Sequence, residues 1–515
     1  MFKFVMLIAF IVMIISLSIV ASKKTKTVGD FVLGGRSIGP WMSAFAYGTT
    51  YFSAVLLIGF AGKVGWEYGV GSLLIALGNG LIGCWLAWKV LGARTREMTG
   101  RLNVMTMPSF LEARFHSSTM KRVASLIIFI FFVPYCASVF MGLSYLFEQV
   151  FQIDYTLALV MMALVSGIYL ILGGYLAVAL IDFVQGLIMI LGIVFMVYCV
   201  NDTTVVNGFG SAINNLRAMD PGFITPQGWV KWVGLISIVV MTSLGTWGLP
   251  QMVQKFYSIK QQSDIPKATI VSTLFALLIT GGAYYVGSTS HLFFSELPMV
   301  NGVASPDFLM PNIISQALPE VVAVLILILV LSASMSTLTS LVLVSSSTVC
   351  IDLFKGGIFP NMSSKRIMIM MKVLCGVFIL FSLAVALNPP SIILTLMSLS
   401  WGTVAGAFLG PYLIGLYYKK TTKIAAWTGM VSGVMISVCG FIILRTQPAF
   451  ISPEVMALLN GWGATFFSCL AIITPCFIVW IVSQFTPQFS SSEIAKIFPE
   501  QNSTQVDQRE VVLTE

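Results

Sequence analysis

Long apolar segments make up most of this chain, and short polar or charged segments separate them. A segment of about 18 or more apolar residues is long enough to cross the hydrocarbon core of a bilayer as an α-helix. The pattern therefore predicts about thirteen transmembrane helices. They lie near residues 3–21, 40–62, 70–92, 123–148, 154–173, 176–200, 229–256, 266–290, 315–349, 366–387, 391–417, 424–445 and 458–483.

Composition supports an all-α polytopic membrane protein whose surroundings are the lipid bilayer. Of its 515 residues, 57% are hydrophobic and 9% are charged, and the mean hydropathy is +0.94. Soluble globular proteins do not have such a composition. The net charge of +8 does not indicate nucleic-acid binding, because the basic residues lie in short loops beside the apolar segments.

Basic residues also predict the orientation in the membrane. Only Lys3 precedes the first span, whereas Lys23, Lys24 and Lys26 follow it, so the rule that positive loops stay inside predicts an outer N-terminus. Thirteen crossings then place the C-terminus in the cytoplasm, and the expected location is the cell membrane. Alternating loops leave five of the 28 Lys and Arg residues at the outer side: Lys3, Lys63, Arg217, Lys231 and Arg445.

The sequence offers no pattern typical of an enzyme or a metal centre. Its eight cysteines are scattered singly and form no C-x-x-C pair, and it has only two histidines. No phosphate-binding G-x-x-x-x-G-K-[ST] motif is present, which argues against an ATP-driven pump. We therefore expect no catalytic residue, no nucleic-acid partner and no obligate protein partner.

The ninth span carries a stripe of small and hydroxyl residues. Ala333, Ser336, Thr337 and Ser340 follow at spacings of three and four, which places them on one face of a helix. Hydroxyl oxygens at membrane depth are hard ligands that suit a dehydrated alkali cation. The alternative is that small and hydroxyl residues let neighbouring helices pack closely.

Two spans contain residues that interrupt a helix. The second span carries a glycine and three Ser or Thr residues in 48–53, and the seventh carries two glycines and Pro250 within 242–250. Irregular backbone is tolerated at this depth where protein or a water-filled cavity covers it. Because the two spans are five apart, the second five-helix unit would be inverted relative to the first, as in inverted-repeat transporters. An ordinary kink is the alternative for either position.

Asp182 lies in the sixth span, and it is the one carboxylate that is set in a span away from the segment ends. Such a carboxylate is costly in a membrane and usually has a function. The alternatives are a helix-start residue at the cytoplasmic face and a partner for an internal basic residue.

Several short motifs resemble the sodium:solute symporter family over nearly the whole chain. Residues 30–40 (DFVLGGRSIGP) are similar to the family's motif before the first broken helix. The proline-carrying members resemble this chain at residues 135–138 (YCAS), 173–182 and 335–338 (MSTL). The pantothenate-carrying members are similar at 51–54 (YFSA), 220–228 and 248–250 (GLP).

The resemblance implies a leucine-transporter-like fold, a 5+5 inverted repeat with extra helices at both ends. It also implies sodium as the coupling ion. The family's common sodium site would be formed by backbone oxygens of Thr49, Phe52 and Ala333 and by the hydroxyls of Ser336 and Thr337. The proline transporter carries an aspartate where this chain has Tyr51, so a carboxylate is absent at that position.

A second sodium ion is expected at Asp182, Thr339 and Ser340, because these positions resemble a further cation site of some family members. The alternative is that Asp182 is structural and one ion binds. The side chains expected near a substrate lie at the two broken helices, although aromatic residues there are equally suited to packing. They are Thr50, Tyr51, Ser53, Thr246 and Trp247.

The predicted function is sodium-coupled import of a small organic solute by alternating access, and the solute is a proline-like amino acid or a pantothenate-like organic acid. The alternative is a membrane sensor or channel on the same fold. The chain divides into an N-terminal helix with its loop (1–39), two five-helix repeats (40–200 and 229–417) joined by an external loop (201–228), two C-terminal helices (418–486) and a disordered cytoplasmic tail (487–515).

Overall fold

The computed structural model describes residues 2–23, 25–300 and 302–498, and most of them are helical. Two short strands, β1 (Met299–Val300) and β2 (Val303–Ala304), form an antiparallel ribbon. The α-helices are α1 Phe2–Ser22, α2 Val28–Leu33, α3 Pro40–Tyr51, α4 Ala61–Tyr68, α5 Leu73–Gly78, α6 Ala93–Arg101, α7 Met107–Phe115, α8 Ser118–Phe151, α9 Tyr155–Asp202, α10 Phe209–Met219, α11 Trp229–Leu244, α12 Pro250–Ser258, α13 Ile265–Ser288, α14 Ser290–Phe293, α15 Leu309–Ala317, α16 Glu320–Thr348, α17 Ser364–Leu387, α18 Ile393–Tyr417, α19 Lys423–Thr446, α20 Pro453–Phe485 and α21 Ser491–Ile497.

Tighter or wider helical turns connect several of these helices. The 3₁₀ turns are Gly34–Arg36, Gly69–Ser72, Pro221–Phe223, Gly245–Trp247, Gln262–Asp264 and Pro306–Phe308. The π-helical stretches are Val55–Phe60, Asn79–Leu86, Trp88–Gly92 and Val349–Ile358.

Within the described residues, eleven helices are long and apolar enough to cross a membrane. The prediction of about thirteen spans counted two more, at 40–62 and 154–173. The first of these is divided, and its initial half α3 has only 12 residues. The second is the beginning of α9, which a non-helical φ of 62° at Gly174 separates from the rest. The prediction of an all-α polytopic membrane protein is confirmed.

The second span breaks at the predicted place. Helix α3 ends at Tyr51, Phe52 has extended backbone angles (φ −112°, ψ 125°), and helical structure resumes at Val55. An extended residue turns its carbonyl away from the hydrogen-bond ladder of the helix. The backbone near Phe52 is therefore available to other partners in the interior of the bundle.

The seventh span breaks in the same way. Helix α11 ends at Leu244, a 3₁₀ turn follows, and Leu249 is extended (φ −84°, ψ 119°) before Pro250 starts α12. Proline suits the first turn of a helix because its missing N–H would have no helical partner there. The two interruptions therefore lie in the second and seventh predicted spans, which are five apart.

Helices α16 and α18 form the centre of the bundle, and nearly all of their residues are buried. Helix α16 packs against α3, α8 and α9, while α1, α17, α19 and α20 lie at the periphery. The peripheral helices expose large apolar side chains such as Ile8, Leu380 and Phe477. Lipid covers such a surface in a membrane protein, so this packing agrees with a multi-pass protein.

The tail that the sequence predicts to be disordered from residue 487 begins with an ordered helix, so this part of the prediction is wrong. Ser490 and Glu493 form a capping box at the start of α21, which stabilises a helix that apolar periodicity alone does not reveal. Arg101 donates to the Ile497 carbonyl at 3.1 Å, and Phe498 is buried beside the Arg94 guanidinium. Residues 499–515 lie outside the described part of the chain.

Helices α4 and α13 approach each other through two glycines. A Cβ atom on Gly287 would lie 1.9 Å from the Ala61 carbonyl oxygen, and one on Gly65 would lie 2.2 Å from the Gly287 carbonyl carbon. Both obstacles are backbone atoms, which cannot rotate away. The second half of the first broken span is therefore held against α13 by close backbone contact.

We expect Gly287→Ala to lower the melting temperature of the purified protein, because the added methyl group forces α4 and α13 apart. Overpacking of this kind costs about 1–3 kcal/mol. The matched control is Gly281→Ala on the same helix, where a Cβ atom meets nothing within 4 Å. Equal melting temperatures for the two variants, measured in detergent, would contradict the close packing.

Candidate functional site: an oxygen cluster at the first helix break

The first break faces the hydroxyl stripe of α16. The Ser336 hydroxyl donates to Thr49 Oγ1 at 2.9 Å. The Thr337 Oγ1 atom lies 3.1 Å from the Thr50 carbonyl oxygen, 3.4 Å from that of Thr49 and 3.2 Å from that of Ala333. All of these residues are fully buried. The stripe that the sequence placed on one helix face therefore meets the end of α3.

A second contact fixes the same break from the other side of Phe52. The Ala54 N–H donates to Ser334 Oγ at 3.0 Å, and the Ser334 hydroxyl donates to the Val330 carbonyl at 2.7 Å. Phe52 itself is buried at the extended position that ends α3. Helix α16 thus holds both sides of the interruption.

The cluster is made of oxygen atoms and carries no charge of its own. Thr49, Ala333, Ser336 and Thr337 lie together, and Phe52 follows Thr49 by three positions in the chain. Calcium sites combine several carboxylates with such oxygens, whereas carbonyl and hydroxyl ligands alone compensate a smaller positive charge. This chemistry favours a monovalent alkali cation.

A chain of polar contacts leads from this cluster to Asp182. The Thr50 and Ser340 hydroxyls lie 3.0 Å apart, and Lys255 Nζ donates to Ser340 Oγ at 3.1 Å. The same ammonium lies 3.8 Å from Asp182 Oδ2, and both charged side chains are at most 1% exposed. Asp182 and Ser340, two predicted ligands of a second sodium ion, therefore both contact Lys255.

Thr339, the third residue predicted for that second ion, bonds within its own helix. Its hydroxyl donates to the Met335 carbonyl at 2.8 Å and to the Ser336 carbonyl at 3.0 Å. It lies one residue from Ser340, next to the chain of contacts that leads to Asp182.

Sequence reasoning missed Lys255. The seventh span was predicted to end at residue 256, which placed this lysine among the cytoplasmic basic residues. In the structure α12 continues to Ser258 and all nine of its residues are buried. The available signal was that Lys255 follows Pro250 by only five positions, inside an otherwise uncharged run.

A small cavity of about 20 Å³ lies beside the first break. Its volume is enough for about one water molecule. Two of the predicted substrate residues, Tyr51 and Ser53, line it, together with Phe52 of the predicted sodium site. Other lining residues, which the sequence did not suggest, are Asn79, Thr242 and Trp401.

Tyr51 connects the two breaks through this cavity. Its hydroxyl lies 3.0 Å from Asn79 Oδ1 and also contacts the Thr242 carbonyl. Its ring stacks on Phe52 (centroids 4.2 Å apart) and on Trp401 (6.1 Å). A polar residue such as Asn79 in the third span was a signal for this site, whereas nothing in the sequence distinguished Trp401.

The remaining predicted substrate residues have structural partners. The Thr246 hydroxyl donates to the Ser243 carbonyl at 2.8 Å, and the Trp247 indole donates to the Ile82 carbonyl at 3.0 Å. Neither residue lines the cavity, and Thr50 contacts Ser340 and Thr337 instead. The Trp247 contact attaches the second break to the third span.

A larger cavity of about 310 Å³ lies at the end of α4 that is remote from α3. Lys63 and Arg445 contribute positive charge to its lining, and Lys63 pairs with Glu67 at 3.5 Å. Tyr68 and Trp462 add aromatic surface. In the predicted orientation this cavity faces the outside of the cell.

Comparison with known proteins agrees with this architecture. The profile of the sodium:solute symporter family matches residues 31–433. The sodium/proline symporter of Escherichia coli K12 is 30% identical over 439 residues, which cover 84% of this chain and 86% of that protein. The sodium/proline symporter of Staphylococcus aureus is 28% identical over 508 residues, which cover 96% and 95% of the two chains.

A solved structure shows the same fold. It is a Na⁺-coupled sialic acid symporter in a substrate-bound, outward-open state, with a TM-score of 0.76, 18% sequence identity, and coverage of 95% of this chain and 99% of its own. At this level of identity the likeness concerns the fold, which is the predicted leucine-transporter-like arrangement. The family profile spans most of the sequence, and the chain belongs to the sodium:solute symporter family.

Proposed function

We propose that this protein is a sodium-coupled secondary symporter that imports a small organic solute by alternating access. The observation that carries the proposal is the uncharged oxygen cluster that α16 and the broken end of α3 form together, with Ser336 and Thr337 in contact with Thr49 and Thr50. The proposed ligands of the sodium ion are the oxygens of Thr49, Phe52, Ala333, Ser336 and Thr337.

The position of this cluster explains how an ion can control a conformational change. It joins the first repeat, which contains α3, to the second repeat, which contains α16. A sodium ion that binds both helices stabilises the conformations in which they are close, and it shifts the equilibrium by its differential affinity for them. The same conformations keep Tyr51 beside Thr242 of the second break.

The proposed solute is a proline-like amino acid or a pantothenate-like organic acid, and both classes carry a carboxylate. Support comes from the names of the relatives and from the aromatic cavity at Tyr51, Phe52 and Trp401. Because the cavity holds about one water molecule, a solute requires the surrounding helices to move apart. The cationic outer cavity at Lys63 and Arg445 is the proposed approach for an anionic group.

One sodium ion per solute suffices for import. An ion that moves down about 100 mV releases about 2.3 kcal/mol, and a tenfold concentration gradient adds about 1.4 kcal/mol. Together these supply about 3.7 kcal/mol, which supports roughly 500-fold accumulation of a neutral solute. A channel or sensor on this fold would not accumulate solute, and neither is favoured by the symporter relatives.

The first prediction is that solute uptake depends on sodium. Proteoliposomes that contain the purified protein should take up one member of a panel of proline, pantothenate, sugars and carboxylates only with an inward sodium gradient. The reason is that the proposed ion site contains hydroxyl and carbonyl oxygens rather than a titratable group. Undiminished uptake in sodium-free buffer, driven by an imposed pH gradient, would overturn the proposal.

The second prediction concerns the hydroxyl ligands. Ser336→Ala and Thr337→Ala should each raise the sodium concentration for half-maximal uptake about tenfold or more, because a contact with a charged group contributes about 1.5–3 kcal/mol. Sodium titration of uptake measures the effect. The control is Ser346→Ala on the same helix, whose hydroxyl donates to the Val342 carbonyl at 2.6 Å. If the double variant keeps the sodium dependence of the wild type, the two hydroxyls serve helix packing and not ion binding.

We also propose that the N-terminus is outside and the C-terminus cytoplasmic, in the cell membrane. In a background without native cysteines, a membrane-impermeant thiol reagent should label Asn215→Cys in the loop 201–228 and leave Ser118→Cys in the loop 93–122 unlabelled. Both positions are exposed in the structure, so access depends on the side of the membrane. Reversed labelling in intact cells would invert the proposed topology.

A further inference from the structure

Lys255 is a fully buried cation in the middle of the helix bundle. Its side chain is 0% exposed, and it lies on α12, directly after the second helix break. A lysine at such a depth is costly unless a partner compensates its charge. Three groups surround the ammonium, and they come from two helices, α9 and α16.

The surroundings of this ammonium have the composition of a cation site. Lys255 Nζ lies 3.1 Å from Ser340 Oγ on α16 and 3.8 Å from Asp182 Oδ2 on α9. It also lies 5.0 Å from the centre of the Tyr175 ring, which attracts cations through its electron-rich face. One carboxylate, one hydroxyl and one aromatic face therefore converge on a single positive charge.

Asp182 differs from the other buried carboxylates in its dependence on this charge. Asp307 accepts the Ile393 N–H at 3.2 Å, and Asp352 accepts the hydroxyls of Thr106 and Ser109. Neither oxygen of Asp182 accepts a hydrogen bond within 3.5 Å from any described residue. The described residues give it one ion-pair partner, Lys255, and the side chain of Ser336 is the other group that favours its charged form.

We propose that the Lys255 ammonium is a tethered cation that takes the place of the second sodium ion at Asp182 and Ser340, so that this carrier binds one sodium ion per cycle. The inference rests on the proposed sodium-coupled function. A mobile ion and an ammonium at Asp182 exclude each other, because both need the same carboxylate and the same Ser340 oxygen. The lysine is part of the chain, so its charge is never released to the cytoplasm.

The Lys255 side chain also connects helices from different parts of the bundle. Lys255 joins α12 of the second break to α9 of the first repeat, and through Ser340 it reaches Thr50 at the first break. In this arrangement the fixed charge of Lys255 links the two breaks. The proposed sodium ion at Ser336 and Thr337 is a separate link, which joins α3 to α16.

The test is the number of sodium ions that the full-length protein binds, measured with ²²Na⁺ alone by equilibrium binding in detergent. We expect one ion per chain for the wild type and two for Lys255→Met, because the neutral side chain leaves the Asp182 carboxylate to a second ion. Lys255→Met combined with Asp182→Asn should return to one, and Lys255→Arg, which keeps the charge, should stay at one. Lys255→Gln replaces the methionine variant if the latter does not yield a monodisperse protein.

The outcomes separate this inference from the proposed function. A wild type that binds no sodium overturns the function itself. A wild type that binds two ions, or a folded Lys255→Met variant that binds one, overturns the tethered cation while leaving sodium coupling intact. If no neutral variant folds, the wild-type count decides alone, since one ion supports the proposal and two overturn it. Adding Ser336→Ala and Thr337→Ala to Lys255→Met should remove one of its two ions and leave the other.

Discussion

The structure depends on how it satisfies polar backbone groups where a helix is interrupted inside an apolar bundle. An unpaired amide or carbonyl at that depth costs several kcal/mol, since neither lipid nor bulk water compensates it. Helix α16 provides hydrogen-bond partners for the backbone at the first break. It presents Ser334 to the Ala54 N–H and Thr337 to the carbonyls of Thr49 and Thr50. The hydroxyl stripe is therefore required by the fold whether or not an ion is bound.

Helix packing and ion binding are therefore not competing explanations for the hydroxyl residues of α16. The Thr337 hydroxyl oxygen lies within hydrogen-bond distance of the Thr49 and Ala333 carbonyls, so atoms that pair with one another in this structure are also proposed ligands of the ion. In the proposed ion-bound state this hydroxyl turns its proton away, and its oxygen joins those carbonyls as a ligand.

Local chemistry made part of this arrangement predictable. Glycine, hydroxyl residues and Pro250 mark the two breaks, and a spacing of three and four residues places Ser336 and Thr337 on one face of a helix. The positions of Asn79 and Trp401 beside Tyr51 depend on tertiary packing between distant spans, which periodicity does not contain. Lys255 was missed because hydropathy places a span boundary only to within several residues. The helix at the tail was missed because its capping residues carry no apolar pattern.

The free energy of folding alone gives little reason for the buried pair of Asp182 and Lys255. Replacing both members of such a pair with apolar residues is often neutral or stabilising by about 1–4 kcal/mol, whereas removing one member leaves a buried charge without compensation. Since folding does not generally require such a pair, its presence here suits a function in which charge balance is controlled. Ser340 connects the pair to Thr50, and Thr50 contacts Thr337 in the oxygen cluster. The electrostatic field at Thr49 and Ser336, two of the proposed sodium ligands, is therefore set in part by a charge that belongs to the protein.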